Sequence, residues 1–225
     1  MTDAELSTLW LATLFGGLCV AGGLSRLGLP RTHVRDLLHV GAGVWPLGWP
    51  LWRSPVPPVL IATAALLGML AVPLLAPRLP WVARAQAAVC GEGERWSGLV
   101  VYTGSVAVLT PIGLLGPRFP AAGALLALAL GDGLGGAVGL RVGGRGFSAP
   151  GGKGKTFAGS AAVAIFSILG VALAAQWFDA RVGVATVVAA GVVAAVAEAL
   201  APRASDNAVL PAAVFAMLTL AQGTP

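Results

Sequence analysis

Nine carboxylates serve the whole 225-residue chain, and three of them stand where an apolar sequence has least use for them. Asp132 interrupts the run "LLALALGDGLGGAVGL", Glu198 closes "GVVAAVAEAL", and Asp206 follows in "ASDNAVLP". An Asp near the middle of a transmembrane helix costs about 2.5–3.5 kcal/mol on insertion scales, and such residues usually face a polar cavity, a partner or an ion. Both lysines of the chain, Lys153 and Lys155, lie in one glycine-rich connector, "RVGGRGFSAPGGKGKTFAGS", beside Thr156 and Ser160. Carboxylates can hold a divalent cation; lysines, backbone N–H groups and a helix start suit polyphosphate. Arg35 and His39, one helical turn apart in "RDLLHVGAG", add a cation and a group able to carry a proton.

Each residue also has a plainer reading. Asp132 can pair with an arginine, Glu198 with Arg203, and Asp206 can cap a helix. The glycines at 131, 135, 139 and 143 recur every fourth residue, a stripe that suits close helix packing as well as close approach by a polar ligand. "GGKGKT" superficially suggests a phosphate-binding P-loop, but Ala149 stands where that motif requires its first glycine. Arg35, His39, Asp132, Lys155, Glu198 and Asp206 are nevertheless all expected near one membrane face, with almost nothing polar at the other.

The elements that must position these groups are transmembrane helices. The chain is 57% hydrophobic and only 10% charged, against roughly 25% charged in soluble domains. Apolar runs near residues 7–25, 37–52, 56–76, 97–116, 119–140, 158–177, 182–200 and 207–222 predict an all-α polytopic bundle of seven or eight spans. It forms a single membrane domain over residues 1–225, with a basic glycine-rich loop at 141–157. The N-terminus has no basic residue ahead of its apolar run, so the first helix is expected to be retained. Cys19 and Cys90 form no CxxC pair, so neither a disulfide framework nor a zinc site is supported.

Eleven of the fourteen basic residues fall in alternate connections, leaving Arg53, Arg118 and Arg181 on the other side. The positive-inside rule places the larger group, and the candidate site, in the cytoplasm, with both termini outside if there are eight spans. This distribution accounts for the net charge of +5 without nucleic acid as a partner. The seven tryptophans are expected at span ends as interfacial aromatics, and Pro46, Pro50, Pro111 and Pro211 as kinks.

Four segments, in order, resemble the CTP-dependent polyisoprenoid-alcohol kinases, a family that includes dolichol, phytol and farnesol kinases and CTP-dependent diacylglycerol kinase. "RDLLHVGAG" is similar to that family's R-K-x-x-H segment and "GDGLGGAVGLRVG" to its G-D-x-x-A-x-x-x-G core. "GKTFAGS" resembles its K-[ST]-x-x-G-S element, and "EALAPRASDNAVLP" its closing E…D-N-x-x-x-P. Asp36, Gly136 and Ala158 depart from the pattern; alanine at 158 is closer to the phytol and farnesol kinases.

The resemblance implies phosphoryl transfer from CTP to the hydroxyl of a lipid or isoprenoid alcohol among membrane lipids. It implies Mg2+ held by Asp132, Glu198 and Asp206. Asp132, His39 and Lys155 would carry the chemistry, with His39 or Asp132 accepting the alcohol's proton. Arg35, Gly131, Gly135, Gly139, Arg141, Arg145, Lys153, Thr156, Gly159, Ser160 and Asn207 would surround the nucleotide. Two alternatives compete: CMP transfer to a lipid phosphate, and a transporter or scramblase without nucleotide chemistry.

Overall fold

A computed structural model of the chain describes residues 1–90, 96–148, 154–202 and 205–223. α1 (Asp3–Arg26) and α2 (Arg31–Gly43) lead through a 3-10 segment (Trp45–Leu51) to α3 (Val56–Leu75), α4 (Pro80–Val89) and α5 (Ser97–Leu115). α6 (Arg118–Ala127) passes through a π-helical turn (Leu128–Asp132) directly into α7 (Gly133–Val142). Two short strands follow, β1 (Gly146–Ser148) and β2 (Gly154–Thr156), and then α8 (Phe157–Trp177), α9 (Val184–Leu200) and α10 (Asp206–Gly223).

The described residues are therefore all-α apart from one small pair of strands. Among the described residues, five helical stretches are long and apolar enough to cross a membrane: α1, α3, α5, the α6–α7 unit as far as Gly139, and α8. α9 is apolar but has 17 residues, about 25 Å of helix.

The run at 37–52 differs from expectation. It is no single span, because α2 begins earlier, at Arg31, and stops at Gly43, where the chain tightens into the 3-10 segment around Pro46 and Pro50. Proline cannot donate to a helical ladder, so two prolines four residues apart end the α-helix rather than merely bending it. The described parts of the basic loop at 141–157 carry regular structure. Residues 141–142 belong to α7, and Phe147 pairs with Lys155 in the antiparallel β1–β2 register. Gly143 and Gly144 end α7 with φ of +62° and +93°, the left-handed region open to glycine.

The α6–α7 unit is the axis of the molecule. Two-thirds (67%) of its apolar window is buried, against 11–33% for the other four stretches. Its sequence explains the placement: Ala121, Ala122, Gly123, Ala124, Ala127 and Ala129 present almost no side chain, so neighbouring backbones can close on every face. A Cβ on Gly123 would lie 2.9 Å from Leu218 of α10, and one on Gly170 of α8 would lie 2.6 Å from the Leu126 carbonyl oxygen.

Three of the seven tryptophans face the protein core. Trp45, Trp49 and Trp52 are buried with Leu6 and Phe119 in the main core. Gly113 makes room, since a Cβ there would stand 2.2 Å from the Trp49 ring. At this end of the bundle the Asp3 carboxylate accepts the Arg53 and Ser54 N–H groups, at 2.9 and 3.1 Å. The Trp177 indole N–H donates to the Leu47 carbonyl at 2.9 Å, so the end of α8 lies here too. The start of α8, the end of α9 and the start of α10 lie at the other end, where the carboxylates are.

Candidate functional site

Asp132 is the last residue of the π-helical turn. A π-helical turn accommodates one extra residue, which rotates everything after it relative to a continuous α-helix; such turns are frequent at functional sites. Glu198 lies in the final turn of α9 and Asp206 is the first residue of α10, so a short connection returns the chain to the same spot. One carboxylate oxygen from each of Asp132, Glu198 and Asp206 lies within 4.8 Å of the other two, with Glu198 and Asp206 buried.

With all three ionised, such a cluster opposes folding unless a cation or a proton answers it. Two unit charges 4.8 Å apart repel by about 3.5 kcal/mol at an effective dielectric constant of about 20. One answer comes from the chain itself. Lys155, on β2, points its ammonium into the cluster and forms an ion pair with Glu198 Oε1. The same nitrogen stands 3.4 Å from the Glu198 carbonyl oxygen. The hairpin is what aims it: Lys155 pairs with Phe147 across the ladder, and the Phe147 and Phe157 rings pack 5.1 Å apart just outside.

His39 completes the arrangement from α2. Its ring is buried against Tyr102, with centroids 4.0 Å apart, and the Tyr102 hydroxyl donates to the His39 carbonyl at 2.8 Å. His39 Nε2 lies 3.9 Å from Asp132 Oδ2. That is too long for a direct hydrogen bond and is a distance that a bridging hydroxyl can close. α2 reaches this position because Gly43 meets Ala129 and Gly133 meets Val40; a Cβ on either glycine would overlap its neighbour, at 1.9 and 2.9 Å.

Other residues singled out in the sequence do different work. The glycine stripe is filled by a helix: a Cβ on Gly131 would sit 2.1 Å from Ser167 Oγ, and one on Gly135 would sit 2.4 Å from Val163 Cγ2. On Gly139 it would meet the Gly159 Cα at 3.0 Å. The close approach these glycines permit is that of α8. Thr156 caps α8, its hydroxyl accepting the Gly159 N–H at 3.1 Å, so that N–H is already occupied within the chain.

Asn207 ties α10 to α5. Its Nδ2 donates to the Gly98 carbonyl at 3.1 Å, and its own carbonyl accepts the Ser105 hydroxyl at 2.7 Å. Arg141 and Arg145 are exposed, and among the described residues no ion pair joins them to the carboxylates. Arg35 is partly exposed, with Nε 3.9 Å from Asp36 Oδ1. Lys153 lies outside the described residues.

Two buried oxygens near the cluster have no hydrogen-bond partner: Ser160 Oγ and Asn207 Oδ1. Ser160 shares a helix face with Ala164 and Ile168, both of which pack on Gly191 of α9, so it belongs to the stripe that leads towards Glu198. Burying a hydroxyl or amide oxygen unsatisfied costs about 1–3 kcal/mol, so these atoms mark places where a polar ligand would be stabilised. Both are among the residues expected around the nucleotide from the sequence.

Hard oxygen donors at this spacing could hold a divalent ion, and the donor set fits Mg2+, which ordinarily takes one or two carboxylates beside phosphate oxygens and water. Compared with protein-family models, with curated proteins and with solved structures, the chain matches none.

Proposed function

We propose that the protein is an integral membrane kinase that transfers the γ-phosphoryl group of CTP to the hydroxyl of a lipid or isoprenoid alcohol at the cytoplasmic face. The observation that carries this reading is the convergence of Asp132, Glu198 and Asp206 from separate parts of the chain, beside Lys155 and His39. Phosphoryl transfer needs little covalent help from a protein; it needs positioned donors and neutralised charge. Acidic residues buried at one end of an apolar bundle supply a site where a hydrophilic nucleotide and a hydrophobic alcohol can meet.

Asp132, Asp206 and Glu198 would hold Mg2+, which when bound would neutralise charge developing on the transferred phosphoryl group. Lys155 would exchange its partner, leaving Glu198 for the triphosphate, and so contribute a donor that is already aimed at the site. His39 and Asp132 would receive the alcohol hydroxyl between them. As its oxygen bonds to the γ-phosphorus, the proton passes to one of these two side chains, the bond to the β–γ bridging oxygen breaks, and CDP leaves. The apolar tail of the alcohol would remain among the helices, and the positive-inside distribution of arginines sets the orientation.

The test is isotopic. Purified protein in liposomes containing a polyprenol, phytol, farnesol or diacylglycerol receives Mg2+ and CTP labelled at either the γ- or the α-phosphorus. Label from the γ position is expected in the lipid extract, with CDP released. Label from the α position, with pyrophosphate released, would show CMP transfer instead. No label in any lipid would remove the kinase reading.

A further inference from the structure

A cavity lies away from the carboxylate cluster, between α1 and α4. A small cluster of Ala21, Val34 and Val89 pins α4 against the ends of α1 and α2. Beside it opens a cleft of about 600 Å3, within the range of small-molecule sites. Its lining combines two chemistries. One part is apolar and shallow in side chain, including Leu18 and Gly22 of α1 and Trp81 of α4. A Cβ on Gly22 would meet nothing within 4 Å, so the helix surface there faces open space. The other part is cationic: Arg26, Arg31 and Arg84, all exposed, line the same cleft where α1 ends and α2 begins. No carboxylate pairs with any of the three among the described residues.

Three like charges around one small cleft repel each other, and a ligand carrying a phosphate would relieve that repulsion. Arginine suits the role because its planar fork binds phosphate oxygens in pairs. The apolar part sets the rest of the ligand. From Arg26 back to Leu18 is eight residues, about 12 Å along the helix axis, most of the depth of one leaflet's hydrocarbon of about 15 Å. A charged head at one end and an apolar channel of that length describe a membrane amphiphile. Trp81, 67% exposed at the start of α4, adds an indole, a side chain enriched at headgroup depth.

We infer that this cleft is a binding site for a phosphate-bearing anionic lipid of the surrounding bilayer. The phosphate lies among Arg26, Arg31 and Arg84, and one acyl chain lies along α1 past Gly22. The site is separate from the acid cluster and does not depend on the reaction proposed there.

Quenching of tryptophan fluorescence by phospholipids brominated in the acyl chain tests it, on the full chain in detergent micelles. A Trp81→Phe variant identifies the Trp81 signal. Brominated phosphatidylglycerol is expected to quench that signal at a mole fraction at least roughly tenfold lower than brominated phosphatidylcholine, because basic residues near the surface favour anionic headgroups. The combined Arg26→Gln, Arg31→Gln, Arg84→Gln variant should lose the preference. Gly22→Leu, whose Cβ would meet nothing within 4 Å, should weaken quenching by both lipids and serves if the arginine variant does not fold.

Equal quenching by the two lipids would overturn the inference, as would a preference that survives both variants. Glycerol phosphate competing as well as the intact lipid would indicate a site for free phosphate only. Cys19 is exposed on the cleft; a Cys19–Cys19 cross-link that shields Trp81 regardless of lipid would mean that a second copy covers it.

Discussion

Lys155 and Glu198, 43 residues apart in sequence, form an ion pair that fastens the β1–β2 hairpin to the end of α9. Both side chains are largely buried, so neither charge is well hydrated. The lysine thereby supplies the positive charge that three clustered carboxylates require when no other cation is bound.

A consequence follows for Lys155→Met. Removing one partner of a buried pair typically costs 3–5 kcal/mol, because the other charge is left uncompensated. The variant is expected to unfold at markedly lower temperature than the parent in EDTA, and to recover more of its stability than the parent when Mg2+ is added. Thermal unfolding in detergent, with and without Mg2+, measures both. Equal destabilisation in the two conditions would mean that the lysine does not compete with a cation.

The glycine stripe predicts opposite effects at adjacent positions. Gly135→Ala places a methyl group 2.4 Å from Val163 Cγ2 and 3.0 Å from the Val163 nitrogen. Such overpacking costs about 1–3 kcal/mol and pushes α8 away from α7. Gly136→Ala meets nothing within 4 Å on an exposed helix face, so it should leave stability unchanged or raise it by about 0.5–1 kcal/mol. Unfolding midpoints of the two variants, compared side by side, give the sign directly.

Tyr102→Phe removes the hydrogen bond from the Tyr102 hydroxyl to the His39 carbonyl and leaves the ring contact in place. Net loss of one buried hydrogen bond is worth about 1 kcal/mol. Turnover should fall roughly three- to tenfold with KM for CTP little changed, since Tyr102 positions His39 and touches no nucleotide. A change confined to KM would place Tyr102 in nucleotide binding instead.

How much of this was legible in the sequence depends on the kind of signal. Asp132, Glu198 and Asp206 stand out because charge in an apolar run is expensive, and that cost is a property of the residue alone. Their meeting is a property of packing: it depends on an alanine-rich axial helix that every neighbour can approach. The π-helical turn that carries Asp132 has no residue signature, since any short apolar run can absorb one extra residue. The glycine stripe was ambiguous because a helix and a ligand need the same absence of side chain, and α8 turned out to fill it.

Burial of Trp45, Trp49 and Trp52 was also hidden, because a span end and the mouth of a core look alike until Gly113 is seen beneath the Trp49 ring. The hairpin was missed because glycine-rich segments carry little strand propensity; its two three-residue strands are held by pairing rather than by preference.

The central claim is that the carboxylates of Asp132, Glu198 and Asp206 together bind a divalent ion with a triphosphate. Titrating Mn2+ as a paramagnetic substitute for Mg2+, followed by electron paramagnetic resonance with and without CTP, tests it most directly. One Mn2+ per chain, bound more tightly when CTP is present and at least roughly tenfold more weakly in Asp132→Asn and in Asp206→Asn, is the predicted result. Mn2+ affinity equal in all three proteins, or indifferent to CTP, would contradict it.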